Sequence, residues 1–334
     1  MITDAAPVRV GDTDLLAPRV GLGTAVLGNF LQAISDDDAV AVISRALASG
    51  VRYIDTAPLY GHGLAERRVG MAIAGLPPAG LVVSTKVGRL LRADAPRDDT
   101  QYHDGVSFYK EVPAAGPMWD FSYDGVRQSV EESLERVGVG RFDVLNLHDP
   151  DDHLKQAATT AYRALRDLRD EGLVTAIGAG ANQSAPLAEL ISACDLDVVL
   201  LAGRYTLLDQ TALADLLPLC ESRRVSVVIG GVFNSGILID PVPGAHFNYL
   251  PADQALLAKA TAIREICDKH DVPLAAAAIQ FPLAHPRVCT VLMGPRTIAE
   301  LETDLSLFEV EIPSRLWADL RQAGLLGPDT PTPE

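Results

Sequence analysis

The stretch Tyr53–Gly63, YIDTAPLYGHG, begins as an apolar strand, ends that strand on Asp55 and carries Tyr60 into the loop beyond. Two other runs have the same form. LVVSTK, Leu81–Lys86, ends on a lysine, and FDVLNL, Phe142–Leu147, passes directly into His148. Working outward, further β-branched runs fall at Arg19–Gly23, Leu173–Gly178, Asp197–Ala202, Val225–Gly230 and Val288–Met293, and the opening strand extends back to Val51. Between the runs, apolar residues recur at spacings of three and four, as in Val40, Ile43, Leu47 and in Val126, Val130, Leu134, Val137. That is the periodicity of a helix with one buried face. Strands separated by helices pair in parallel, because each helix carries the chain back before the next strand. Eight such units fit an α/β fold of the closed (β/α)8, or TIM-barrel, type, with the strand ends gathered on one face. An open doubly wound sheet is the alternative, but GLGTAVLG in the first strand–helix turn lacks the GxGxxG spacing of such a nucleotide site.

Residues 1–334 read as one barrel domain, since no stretch has the composition of a linker. Two segments exceed the minimal repeat. Residues 87–123 form an insertion rich in Pro, Asp and aromatics (Tyr102, Phe108, Tyr109, Trp119, Phe121), and Pro241–Pro251 form a shorter one carrying His246 and Asn248. Both follow strands and are expected to be structureless loops that wall or cover a site at the strand-end face. Residues 328–334, ending TPTPE, are expected to fray. Helix starts are expected at Ser35-Asp36-Asp37, Asp124 and Ser184.

A formal net charge of -16 repels phosphate backbones and anionic lipid surfaces, which argues against nucleic-acid and membrane-surface partners. MITDAAPVRVGD has no basic start followed by an apolar segment, and no later apolar run approaches the roughly 18 residues of a membrane helix. The expectation is a cytoplasmic protein, a monomer or small homo-oligomer. Cys194, Cys220, Cys267 and Cys289 are widely spaced and read as four reduced, packed thiols. HDPDDH sets His148 and His153 among carboxylates without a second cluster of ligands, so Asp151 and Asp152 read as a helix start and no metal is expected.

Asp55, Tyr60, Lys86 and His148, brought to one face, make an acid/base group suited to a carbonyl or hydroxyl oxygen. Taken singly, each has a plainer reading as part of a structural salt bridge or a satisfied histidine. Taken jointly, they define a device. A lysine about 4 Å from a phenolate favours ionisation by up to ~4 kcal/mol at an effective dielectric near 20, which is expected to draw a tyrosine pKa of about 10 towards the working range. Asp55 would keep Lys86 charged, and His148 would bond the substrate oxygen or share the proton.

YIDTAPLYG, STK and LHDP, with GLGTAVLG before them and GPRTIAEL after, resemble the aldo-keto reductases over nearly the whole chain. The resemblance implies a nicotinamide cofactor across the barrel mouth, hydride exchange with a carbonyl carbon, Tyr60 as general acid/base, Lys86 and Asp55 as its tuning pair and His148 as the orienting residue. Asp149 stands where a tryptophan is usual. For the cofactor, the resemblance implies Gly23, Thr24 and Asp55 on the first two strands, Asn182 in IGAGAN for the carboxamide, and the glycine-rich wrap Gly231, Phe233, Asn234, Ser235 and Gly236. The usual glutamine of the sixth strand matches Ala202, or Arg204 after a slip, and the nicotinamide-stacking aromatic matches Gly230. Around the adenosine end, Gly294 and Glu300 replace a lysine and an arginine, Asp304 replaces an asparagine, and Arg296 lies nearby, which implies NAD, with NADP possible through Arg296.

Within the family, WDFSYDGV, LLAGRYTLLDQ and VFNSGIL together resemble the aldose 1-dehydrogenases, which oxidise C1 of fucose-type sugars to a lactone, and pyridoxal 4-dehydrogenase, whose substrate is also a cyclic hemiacetal. The implied partner is a small sugar or aldehyde bound by Tyr60, His148, Trp119 and Phe121. A general aldehyde or ketone reductase and a non-catalytic nucleotide-sensing subunit are the alternatives, since a fold does not fix a function.

Overall fold

Side chains alternate along a strand, so each strand sorts its own residues into two sets. Val82, Ser84 and Lys86 face the barrel interior, while Val83 packs outward against the helices and Thr85 donates to Glu66 on the second helix at 2.8 Å. The chain is described here by a computed structural model covering residues 2–76 and 80–333. Eight parallel strands close the barrel: β1 (Val20–Gly23), β2 (Tyr53–Asp55), β3 (Val82–Val87), β4 (Val144–His148), β5 (Ala176–Ala181), β6 (Val198–Ala202), β7 (Ser226–Gly230) and β8 (Val288–Met293). β8 pairs with β1, and every other strand pairs with the next in sequence. Around them lie α1 (Asp36–Ala48), α2 (Leu64–Ile73), α3 (Tyr123–Val137), α4 (Tyr162–Asp170), α5 (Ser184–Ala193), α6 (Leu216–Arg223), α7 (Gln254–Lys269), α8 (Leu274–Gln280), α9 (Ile298–Leu307) and α10 (Ser314–Gln322). Their apolar faces and the outward strand residues make the main core.

The amino end of the barrel is closed by an antiparallel pair, Val8–Arg9 with Leu16–Ala17. Val10 and Ala17 pack there against Tyr53, Val82, Val144, Ala176 and Val198, and Gly11 donates its N–H to Ser226 Oγ at 2.9 Å.

Ser35 caps α1 by accepting from the Asp38 N–H at 3.1 Å, as expected. The other two helix-start readings shift. Ser122 caps α3 and Asp124 lies in its first turn, where its charge meets the positive end of the helix dipole. Ser184 is the first residue of α5, and its hydroxyl donates to Asp215.

The first insertion is not structureless. Val87 still belongs to β3 and Tyr123 opens α3, and between them Arg89–Arg92 pairs antiparallel with Gly116–Trp119, with a second small ribbon at Tyr102–His103 and Val106–Ser107. Pairing satisfies backbone groups that a bare loop would leave to water. The second insertion holds a short pair, His246–Phe247 with Leu250–Pro251. The tail is likewise held. Thr330 is buried, and Arg321 donates to the Thr330 carbonyl and the Thr332 hydroxyl; Glu334 lies outside the described residues. Among the described residues no helix is long and apolar enough to cross a membrane.

Candidate active site

The parallel register sets Asp55 beside Ser84, and Lys86 beside Asn146, all facing inward at the carboxyl ends of β2, β3 and β4. Room for these polar side chains comes from β5. A Cβ on Gly178 would lie 2.5 Å from Asn146 Oδ1 and 2.1 Å from the Val198 carbonyl oxygen, so only glycine fits there. Lys86 Nζ donates to Asp55 Oδ2 at 2.5 Å and to the Thr56 carbonyl at 3.0 Å, while Ser84 donates to Asp55 Oδ1 at 3.0 Å. Both partners of the ion pair are almost wholly buried, at 3% or less side-chain exposure. Burial pushes the Asp55 carboxyl up, against the pull of Lys86 and Ser84.

Tyr60 is delivered by a turn that touches the loop after β1. The Gly61 position (φ +64) lies against Gly28, and a Cβ on Gly28 would come within 2.6 Å of the Tyr60 carbonyl carbon. Gly28→Ala is therefore expected to displace Tyr60 and lower kcat by about 100-fold, the cost of roughly 1 Å of misplacement. Steady-state kinetics beside a melting curve check this. An unaltered kcat would show that the contact does not set the position of Tyr60.

Lys86 Nζ sits 4.5 Å from the centre of the Tyr60 ring, and the His148 ring meets Tyr60 edge-on at 5.7 Å and 89°. The four side chains are thus brought together, but their electrostatics correct two expectations. Burial drives the Tyr60 phenol well above its usual range, with Asp55 and Asp149 pushing the same way and Arg89 pulling back. The phenol pKa is raised and not drawn down. Burial, with Arg89 and Lys86, also drives His148 well below its usual pKa, so it is a neutral hydrogen-bonding group and not a sharer of charge.

The residue that sequence reasoning missed is Arg89. It is 4% exposed, its guanidinium lies 3.8 Å over the centre of the Trp119 ring, and its Nη2 donates to Asp149 Oδ2 at 3.1 Å. Asp149 Oδ2 in turn is 3.6 Å from His148 Nε2. A cation two residues beyond β3, with a carboxylate directly after His148, was the available signal. Trp119 is half-buried beneath Arg89, whereas Phe121, at 1% exposure, packs on Gly88, Trp119 and His153. Phe121 belongs to the core and not, as expected, to the substrate residues.

Three loops meet above the cluster. Phe30, after β1, touches Phe108 and Tyr109 of the first insertion and Tyr249 of the second, with ring centres 5.7, 5.3 and 4.9 Å away. Asn248, exposed in the second insertion, accepts from Arg204, which stands just beyond β6 and also donates to Gln183. His246 is exposed.

The implied cofactor residues line the same face. Gly23 ends β1, Thr24 donates to the Asp55 carbonyl, and Asn182 is exposed just beyond β5. In the glycine-rich turn after β7, Gly231, Asn234, Ser235 and Gly236 all have positive φ. The N–H groups of Asn234 and Gly236 are taken by Gly231 and Phe233 carbonyls, and the Asn234 side chain is held by Gly203 and Thr206, so the wrap offers fewer free donors than the five expected. Beyond β8, Arg296 has a buried Nε with no partner among the described residues, Glu300 accepts the Arg296 N–H at 2.6 Å, and burial beside Glu300 pushes Asp304 up to about 7. An orphaned cationic donor, an exposed amide and a glycine turn on one rim fit a dinucleotide. These residues would hold it.

Barrel, buried ion pair, tyrosine and histidine together define a carbonyl/hydroxyl oxidoreductase. Residues 19–324 match the aldo/keto reductase family, and the chain belongs to that family, an oxidoreductase family that works with nicotinamide cofactors. It is 42% identical to D-threo-aldose 1-dehydrogenase from Pseudomonas sp over 96% of each chain, and 38% identical to pyridoxal 4-dehydrogenase from Microbacterium luteolum over 95% of this chain and 97% of that one. Among solved structures, an aldo-keto reductase from Bacillus halodurans in its holo form covers 96% of both chains with a TM-score of 0.74 at 27% identity.

Proposed function

We propose that this chain oxidises C1 of an aldose in its cyclic hemiacetal form, a fucose-type sugar becoming a lactone, with NAD as the acceptor. The observation that carries the reading is the buried Asp55–Lys86 pair set beneath Tyr60 and beside His148, and the likeness to an aldose 1-dehydrogenase supports the substrate class. The bound nicotinamide supplies the carbon that takes the hydride. Tyr60, in its phenolate form, takes the anomeric hydroxyl proton, and neutral His148 holds the same oxygen by a hydrogen bond. The Lys86 ammonium, fixed by Asp55 and the Thr56 carbonyl, stabilises that phenolate before the transfer.

Glu300 and Asp304 carry the expectation for the nucleotide. A 2′-phosphate bearing nearly two charges would meet these carboxyls, whereas a ribose hydroxyl can donate to Glu300. Arg296 is partly engaged, donating to the Phe30 carbonyl at 3.3 Å. NAD is expected to give the higher kcat/KM. A higher value with NADP would assign phosphate binding to Arg296 and overturn the preference.

Similarity to pyridoxal 4-dehydrogenase favours a second reading, pyridoxal as its hemiacetal, and the rings of Phe30, Phe108, Tyr109 and Tyr249 suit a flat substrate. One experiment separates these readings: aldoses, pyridoxal and simple aldehydes assayed with both nucleotides in both directions. Nucleotide binding without turnover on any of them would favour a sensing subunit.

A further inference from the structure

The guanidinium of Arg89 uses one face on Trp119 and one nitrogen, Nη2, on Asp149. Its Nε and Nη1 are buried and have no partner among the described residues. Leaving a charged donor unsatisfied costs more than the ~1–3 kcal/mol of a neutral one, so a buried arginine with two vacant donors points to an oxygen-bearing occupant. The position narrows the occupant. Asp149 directly follows His148, stands 3.6 Å from its Nε2, and is held in a left-handed backbone conformation (φ +42) with its N–H on the Gly180 carbonyl at 2.8 Å. Aspartate is among the few non-glycine residues that adopt this conformation readily, and the bond to the Gly180 carbonyl fixes it there. The pair therefore presents donors and an acceptor side by side, next to the group that holds the reacting oxygen. A hydroxyl both donates and accepts, and so matches such a pair; a bare methylene matches neither.

We propose that Arg89 and Asp149 form a specificity pair that binds the substrate hydroxyl on the carbon adjacent to the reacting one, Arg89 donating through Nε or Nη1 and Asp149 accepting. This rests on the sugar reading above. It explains why an aspartate and not an apolar ring follows His148. It also gives the Arg89–Arg92 ribbon a task, since cross-strand pairing with Gly116–Trp119 sets Trp119 directly beneath Arg89. A trapped water is the competing occupant.

The test compares an aldose with its 2-deoxy counterpart in the wild type and in Arg89→Lys, Arg89→Gln and Asp149→Asn. Arg89→Lys keeps a cation over Trp119, so a folded variant is in hand if Arg89→Gln fails to fold. In the wild type, loss of the hydroxyl is expected to cut kcat/KM by about 100-fold or more, because buried polar groups are left unpaired. In each variant that ratio shrinks at least tenfold, through KM more than kcat. An equal penalty in the wild type and the variants would overturn the proposal and leave the pair structural or water-filled. A wild type active on pyridoxal or simple aldehydes but on no aldose would instead overturn the sugar reading, and the assignment with it. The two failures are distinct, because in the first the wild type turns over the sugar.

Discussion

Tyr60→Phe lowers kcat by about 100- to 10,000-fold and leaves nucleotide affinity nearly unchanged, because it deletes one positioned acid/base and little else. The pH profile sharpens the test. Burial holds the Tyr60 proton well above the usual range, so proton removal by Tyr60 becomes easier as pH rises. Wild-type oxidation should therefore climb towards the alkaline end, while the reverse reduction, which needs the phenol protonated, is favoured at lower pH. The residual rate of the phenylalanine variant should lose this slope. Activity within a few-fold of wild type, or an unchanged slope, removes Tyr60 from proton transfer.

Lys86→Met is expected to destabilise the protein by about 3–5 kcal/mol near neutral pH, since it strands the buried Asp55 carboxylate without its cation. The sign of the pH dependence follows from Asp55. Its carboxyl is already pushed up by burial while Lys86 pulls it down, so losing Lys86 raises it further. An acid with a raised folded-state pKa destabilises the native state once the unfolded chain can ionise it. The penalty is absent below the unfolded value, about 3.9, grows as pH rises from there to the folded value, and is full above it. Denaturant melts should show the variant closest to wild type in acid, and Asp55→Asn added to Lys86→Met should recover most of the loss at neutrality. Equal stability at pH 7 would show that the pair is not held as buried ions. Turnover falls as well, with the profile moved to alkaline values.

The barrel was legible because its strands announce themselves twice, by β-branched composition and by a polar residue at the carboxyl end. β8 has the limits expected of it, and β2, β3 and β4 differ by one or two residues at an end. β5 was read three residues early, because Leu173 and Val174 look like strand while Gly178 and Gly180 look like a break. Those glycines are strand residues, and at Gly178 the reason is Asn146 and the Val198 carbonyl on the two adjoining strands, which no local pattern reveals. The same limit applies to the site. Asp55, Lys86 and His148 follow from strand periodicity, yet burial, which only the packed structure supplies, reverses the expected direction for Tyr60 and fixes His148 as neutral. The signal at Arg89 was weak on its own because its meaning depends on Trp119, some thirty positions away, being paired opposite it in a ribbon that the proline-rich composition conceals.

The antiparallel pair seals the amino end of a barrel whose interior is already filled by side chains such as Tyr53, Leu200 and Leu292, so the site is reached from the carboxyl end. Substrate, product and solvent must all pass the rim where Phe30, Tyr109 and Tyr249 meet. A ligand that fills the mouth thereby cuts Tyr60 and the ion pair beneath it off from bulk water. The proton taken during the proposed turnover is then expected to reach solvent only as the product leaves.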